Sequence, residues 1–311
     1  MQGRGWSIRQ LAAMRVYCWR QSTRGAAMTH VGHIKEIWRY PVKGMAGERL
    51  TSCVLGERGV QGDRTWALRD VARKEIQSCK FRPQLLLCTA RDRSDATGSR
   101  VEVTFPDGAV VAGTDPEIHA RLSALTGRVS TLEAVRPESD RDFYRRHKLD
   151  DHTWLEELKA TFEREEGEPL PDFSQAPPPF ADFVSTPGTF FLVTPLHIVT
   201  TSTLAHLKNL KPDADWDRRR FRPNLLIEPA PYAEGLVEQG WIGKRLVLGG
   251  ATIDCAGATP RCGAVTRAQP DLPADKTMLR TIVRDADQNL GVYGLISGSA
   301  SVQVGDPVYM A

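Results

Sequence analysis

Thr259-Pro260-Arg261-Cys262-Gly263-Ala264-Val265-Thr266-Arg267 sets a cysteine directly after an arginine, between a proline and a glycine. It follows a strongly alternating segment that reads as a β-strand and precedes a loop rich in Pro and Asp. A thiol there is presented from a stiff backbone, and the adjacent guanidinium is a ready counter-charge for an anionic sulfur. Such a sulfur either attacks a substrate or holds a ligand. The rest of the chain bears on which.

Working outward, Trp241-Ile242-Gly243 through Ile253-Asp254-Cys255 gives two β segments joined by Gly249-Gly250. Phe221-Arg222-Pro223-Asn224-Leu225-Leu226-Ile227 reads as a strand with Arg222 and Asn224 two apart, hence on one face. It echoes Phe81-Arg82-Pro83-Gln84-Leu85-Leu86-Leu87, which also reads as a strand, opened by a proline. Phe190-Phe191-Leu192-Val193-Thr194-Pro195 reads as a buried strand. Thr200-Thr201-Ser202 then offers N-cap residues to a helix through Leu204, Leu207 and Leu210. Beyond Cys262 come an apolar-patterned segment, Met278 to Val283, a Gly-rich hairpin and Val304-Gly305-Asp306-Pro307-Val308-Tyr309.

The first third is also β-patterned. Gly32 to Tyr40 alternates, with Ile37 out of step, until Pro41 ends the run. In Tyr40-Pro41-Val42-Lys43-Gly44-Met45, a lysine beside a glycine makes an anion site or, taken alone, an ordinary solvated turn. Arg64 follows Asp63 into a short apolar strand and by itself reads as half of an ion pair. Val101 to Phe105 alternates into the hairpin turn Pro106-Asp107-Gly108, and Asp115 to Thr126 reads as a helix ended by Gly127. Together these suggest a small β-barrel-like unit. The middle is charged and Pro-rich: Trp154 to Glu166 reads as a helix with Leu155 and Leu158 inward, then Glu168-Pro169-Leu170-Pro171 and Pro177-Pro178-Pro179 break the pattern. The expected division is a basic arm, 1–28, either disordered or not native; a β domain, 29–135; a connection, 136–180; and a second domain, 181–311.

Composition narrows the function. The chain has 311 residues, 41% hydrophobic and 25% charged, as a soluble globular protein does. Its net charge of +3 is more than accounted for by the arm, which has five arginines and no acid. A nucleic-acid reader would carry its basic face on the folded domain. The arm's apolar patch, Leu11-Ala12-Ala13-Met14, is too short for a membrane span. None of the six cysteines is spaced as C-x-x-C, so neither a zinc site nor a built-in iron–sulfur cluster is indicated, and a reduced, cytoplasmic setting is expected.

Lys43, Arg64, Arg222, Asn224 and Arg261 are polar groups that are expensive to bury without partners. Each alone reads as structural; one large anionic ligand shared among them would explain all five. The blocks Arg220-Phe221-Arg222-Pro223-Asn224-Leu225, Trp241-Ile242-Gly243-Lys244-Arg245-Leu246, Arg261-Cys262 and Val304-Gly305-Asp306-Pro307-Val308-Tyr309 resemble the MOSC family. Tyr40-Pro41-Val42-Lys43 with Gly62-Asp63-Arg64-Thr65-Trp66 resembles the N-terminal β-barrel that accompanies that domain. Order and spacing are similar to those of the mitochondrial amidoxime-reducing component and its bacterial relatives, over roughly residues 30–311.

The resemblance implies a β-rich α+β fold: a MOSC-type β-barrel with peripheral helices plus a smaller N-terminal β-barrel-like domain. It also implies a molybdenum cofactor of the pyranopterin type, with Cys262 as the protein's thiolate on the metal and as the catalytic residue. Lys43, Arg64, Arg222, Asn224, Arg261 and Thr194 are then the cofactor-binding set. The activity implied is reduction of N-hydroxylated, amidoxime-like or related N-oxygenated small molecules. No flavin, haem or cluster motif is visible in the sequence, so electrons are expected from a separate protein: ferredoxin-like, a b-type cytochrome or a flavoprotein reductase. Two positions depart from the family pattern. Gly44 stands where relatives commonly have serine, and Phe190-Phe191-Leu192-Val193 is more apolar than in the amidoxime reducers. The rival readings are a sulfur or cofactor carrier using Cys262 and a small-ligand binder in which Cys262 is structural.

Overall fold

The computed structural model describes residues 28–147, 154–172 and 182–311. The arm up to Ala27 and the Pro177-Pro178-Pro179 run lie outside the described residues. Seven strands form a closed barrel: β1 (Thr29–Arg39), β2 (Leu196–Thr200), β3 (Leu225–Pro229), β4 (Arg245–Leu248), β5 (Ala251–Pro260), β6 (Asn289–Ser297) and β7 (Pro307–Met310). Around the barrel the order is β3, β2, β6, β5, β4, β7, β1, and β1 pairs back onto β3 to close it. The first strand therefore completes a barrel otherwise built from the last third of the chain.

Ile37, out of step in the sequence, has a physical explanation. The register of β1 against β3 shifts between Ile34 and Glu36, a bulge that resets the alternation. Ile34 and Ile37, three apart, thus both point into the barrel, where they meet Ile198, Leu225, Ile227, Leu246, Ile253 and Val292. Fully burying each such side chain is worth about 1.5–3 kcal/mol. β2 and β3 run parallel, so a crossover must join them, and α3 (Thr201–Leu210) lies within it. Thr200 caps that helix by accepting from the Thr203 amide. The described helices are four: α1 (Glu117–Thr126), α2 (Trp154–Phe162), α3 and α4 (Thr277–Asp285). From α3 and α4, Leu207, Met278, Leu279 and Ile282 pack with Trp216 and Phe221 in a second core.

The N-terminal unit holds a core of its own, with Met45, Leu68, Leu85, Val103, Phe105, Ile118 and Leu122. Three-stranded sheets surround it, including Thr89–Asp92 with Val101–Thr104 and Val110–Ala112, and Ser130–Ala134 with Trp66–Asp70 and Glu75–Ile76. A further small sheet pairs Ala300–Gln303 with Ser52–Gly56, tying the two units together again.

Several local expectations are corrected. Pro83–Leu87 is a 3-10 helix, not a strand: the proline sits in its first turn, where no amide is needed, and Leu85 and Leu86 are buried. Phe190–Pro195 is irregular, and the strand begins only at Leu196. α2 ends at Phe162; Leu155 is exposed, and Thr161 and Phe162 are the buried residues at its end. Arg222 and Asn224 precede β3 rather than belonging to it. Among the described residues no helix is long and apolar enough to cross a membrane.

Candidate functional site

The end of β1 and the Arg-Pro-Asn loop are laced together. Trp38 donates its amide to Asn224 O at 2.8 Å, Asn224 Nδ2 donates to Trp38 O at 3.3 Å, and the Tyr40 hydroxyl donates to Pro223 O at 3.1 Å. Asn224, fully buried, also accepts the His197 amide on Oδ1 at 3.2 Å. Here the chain turns sharply twice. Arg64 and Arg222 both have positive φ, 49° and 55°, a conformation side chains seldom adopt. That backbone, not strand alternation, brings the two guanidiniums together.

Both pack against Tyr40. The Arg222 guanidinium is 4.2 Å from the centre of its ring and that of Arg64 is 5.4 Å away. Arg64 pairs with Asp63 and reaches Asn224 Oδ1 at 3.4 Å, and Asp63 Oδ1 accepts the Tyr40 amide at 2.6 Å. Arg222 donates to Met45 O, across the two units. Lys43 Nζ donates to Phe190 O at 2.8 Å. Burial, with help from Lys80 and Arg64, lowers the Lys43 pKa to about 7.

Cys262 ends the long strand and starts a 3-10 turn, Gly263–Thr266, where it is half-buried. Arg261 turns back to donate to Phe221 O at 2.9 Å. The connection braces this turn from behind. Arg164 donates to Arg261 O at 3.1 Å and Gln288 Oε1 at 3.2 Å, and Glu163 pairs with Arg267. A Cβ on Gly263 would lie 2.2 Å from the Glu163 carboxylate carbon, so glycine is required while that carboxylate stays there.

Burial lowers the proton affinity of both Arg222 and Arg261, and Arg261 Nε is buried with no partner. Carbonyl oxygens, which carry no formal charge, are what the guanidiniums of Arg222 and Arg261 donate to. Of this set only Arg64 holds a carboxylate, that of Asp63. Desolvated cations facing neutral acceptors are poorly compensated. An anionic ligand with several acceptors would repair this, and the residues fit one.

The structure brings Lys43, Arg64, Arg222, Asn224 and Arg261 together from both units; Thr194 points elsewhere. Its hydroxyl donates locally to Leu196 O at 3.1 Å. Four residues join the site that sequence reasoning missed. Tyr40 packs against both arginines. Tyr293, across β6, has its phenol pushed up to about 12 by burial, against the pull of Arg261. His197 is buried, and that burial lowers its pKa to about 3. Cys79 is buried, its thiol pushed up by desolvation while Arg222, Lys80 and Lys43 pull it down. Tyr40 had a local signal, directly before the Pro-Val-Lys turn; the others become neighbours only through folding. Gly44 is explained too: φ is +85°, and a Cβ there would lie 3.0 Å from the Cys79 amide nitrogen.

Among the described residues no group of three or more His, Cys, Asp and Glu is placed to hold a metal ion. Fold and site together define a two-unit β protein in which buried cationic side chains gather near a half-buried thiol. The chain belongs to the MOSC family: residues 187–309 match the MOSC domain and residues 31–130 the MOSC N-terminal beta barrel domain. MOSC domains are found in molybdenum-cofactor-binding proteins. Among solved structures, the chain is similar to the YUAD protein from Bacillus subtilis at 9% identity and TM-score 0.40, covering 91% of this chain and 98% of that one. It is also similar to YiiM from Geobacillus stearothermophilus, at 16% identity and TM-score 0.28 over 37% of this chain and 53% of that one. No curated protein matches the sequence.

Proposed function

We propose that this chain is a molybdenum-cofactor-dependent oxidoreductase that reduces N-hydroxylated or related N-oxygenated small molecules, with electrons from a separate donor protein. The observation that carries the reading is the buried cationic clamp beside Cys262, short of one anionic partner. Lys43, Arg64, Arg222 and Arg261 would neutralise the cofactor's phosphate and Asn224 would hold a polar edge of its pterin, with Cys262 as the protein's ligand to the metal. When bound, the cofactor supplies the two-electron redox chemistry. The chain's own share is orientation and electrostatics. Tyr40 offers its ring face to the Arg64 and Arg222 guanidiniums. Burial keeps the Tyr293 phenol protonated near Arg261 and Cys262.

The test is the molybdenum and pterin content of the full chain as isolated, then amidoxime reduction with an artificial donor. We expect about one metal per chain in the wild type and loss of metal in Cys262→Ser. Loaded protein without reductase activity on any N-hydroxylated substrate would remove the reductase half of the proposal. A second reading, sulfur or cofactor carriage, draws on the partial exposure of Cys262. It takes precedence if metal-free protein carries a stable adduct of about 32 Da, one sulfur, on that thiol.

A further inference from the structure

A cleft of about 530 Å³ opens where the two units meet, and none of the clamp residues lines it. Its lining comes from three places. The hairpin of β1 with Glu48–Leu50 sets Trp38 opposite Arg49 in register, so both side chains lie on one face. The strand Thr89–Asp92 alternates: Ala90 is buried in the N-terminal core, while Thr89, Arg91 and, just past the strand's end, Arg93 line the cleft. Arg219, Gln269 and Pro270 reach it from the barrel unit.

The lining is charged in one sense. Four arginines stand against a single acid, Glu48, and that carboxylate is already engaged: one oxygen accepts from Arg39 Nε at 2.9 Å and from the Asp92 amide at 2.8 Å. Arg93 and Arg219 have partners outside the lining, Glu102 and Asp217. Arg49 and Arg91 are left over. The carboxylate in reach of Arg49 is that of Glu36, 4.0 Å away, whose other oxygen is held by Trp38 Nε1 at 2.7 Å and by Arg218 at 2.9 Å. Arg91, exposed on its strand, forms no ion pair with the described residues. Gln269 adds a neutral donor. It is 5% exposed, yet its side-chain amide makes one long hydrogen bond, 3.5 Å to Arg219 O, which leaves the second N–H of that amide for a ligand.

We infer that this cleft is a second anion site, separate from the clamp, which takes a small polyanion carrying phosphate or carboxylate groups on Arg49 and Arg91, with Gln269 as a neutral donor. The inference does not depend on the reductase reading. A concave surface lined by one sign of charge focuses its field and concentrates counter-ions. Guanidiniums grip phosphate and carboxylate through two parallel N–H bonds. The volume is that of a small-molecule site, well short of a protein-docking face. The clamp is nevertheless a close neighbour: Met45 O accepts from Arg222 while Ala46 lines the cleft, and the Trp38 backbone is bonded to Asn224. The experiment must therefore separate the two sites.

Inorganic pyrophosphate is the probe for phosphate and citrate the probe for carboxylate. Each is titrated by calorimetry into full-length Lys43→Met protein, whose clamp is weakened. At least one should bind with a Kd of about 1 mM or tighter, and the tighter of the two names the group. Adding Arg49→Gln and Arg91→Gln, both at exposed positions, should weaken that binding by about tenfold or more without lowering the melting temperature. A second measurement on the wild type locates the site directly: phenylglyoxal labelling, read by mass spectrometry, should slow at Arg49 and Arg91 when the anion is present. The assignment is overturned if neither anion binds, if the arginine variants bind as well as their parent, or if labelling of Arg49 and Arg91 is unchanged by the anion. Binding of a short polyglutamate peptide with neither small anion bound would also overturn it, and would make the cleft a docking face for an acidic protein segment.

Discussion

Lys43 makes the clamp's affinity for anions depend on pH. Its pKa is lowered to about 7 by burial and by the cations around it, so near neutrality the cofactor-free protein holds it only about half protonated. An anionic ligand in the clamp prefers the ammonium form, and binding must then draw a proton from solvent. For a group titrating at about 7, the protonated fraction falls about fiftyfold between about pH 7 and 9. The affinity for an anion of constant charge should fall by up to the same factor. Sulfate is a suitable probe, since it does not titrate in this range. Calorimetry in buffers of different ionisation enthalpy should count close to one proton taken up per sulfate at about pH 8. Lys43→Arg should bind without pH dependence. Lys43→Met should bind weakly at about pH 7 and match the wild type at about pH 9. An affinity in the wild type that does not change with pH, or no proton uptake, would refute the reasoning.

Other consequences are as open to measurement. His197 titrates at about 3 in the fold against 6.5 in the unfolded chain, so below about pH 6.5 the unfolded state binds a proton that the folded state excludes. Stability should drop as pH falls through that window, by up to about 2 kcal/mol between about pH 6.5 and 5; urea midpoints should show this in the wild type and not in His197→Gln. Gly44→Ser, which restores the residue relatives commonly carry, should cost about 1–3 kcal/mol in thermal denaturation, because its φ of +85° and the Cys79 amide leave no room for a Cβ. Gly263→Ala should cost about 1 kcal/mol or less. The clash is with the mobile end of Glu163, and what is lost is one partly exposed ion pair with Arg267. Glu163→Ala should relieve it in the double variant.

The clamp residues were legible because their motifs are local: Asp63-Arg64, Pro41-Val42-Lys43 and Arg222-Pro223-Asn224 each carry their own turn chemistry. The reason they converge was not legible. Alternation placed Arg222 and Asn224 on a strand face, whereas a left-handed residue at 222 does the work. The echo between Phe81–Leu87 and Phe221–Ile227 is one of composition alone: the first is a 3-10 helix and the second a turn entering a strand. Short apolar runs with a proline near the start do not distinguish these outcomes, since proline's missing amide suits a first helical turn as well as a strand's first residue. Tyr293 and Cys79 carry no local motif: Tyr293 meets Arg261 and Cys262 from another barrel strand, and Cys79 meets Arg222 from the other unit.

β1 has a further consequence for how the molecule comes into being. On the ribosome Thr29–Arg39 emerges early, but its barrel neighbours are Leu225–Pro229 and, at the far end of the chain, Pro307–Met310. Its last residues, Ile37, Trp38 and Arg39, pair at once with Leu50, Arg49 and Glu48, while the stretch before them waits for the two distant strands. A fragment cut to residues 187–309 would lack one of the barrel's seven strands, and the N-terminal unit made alone would hold that strand paired only with Glu48–Leu50. The two units are thus bound by the order of manufacture: the barrel closes only once Pro307–Met310 has been made.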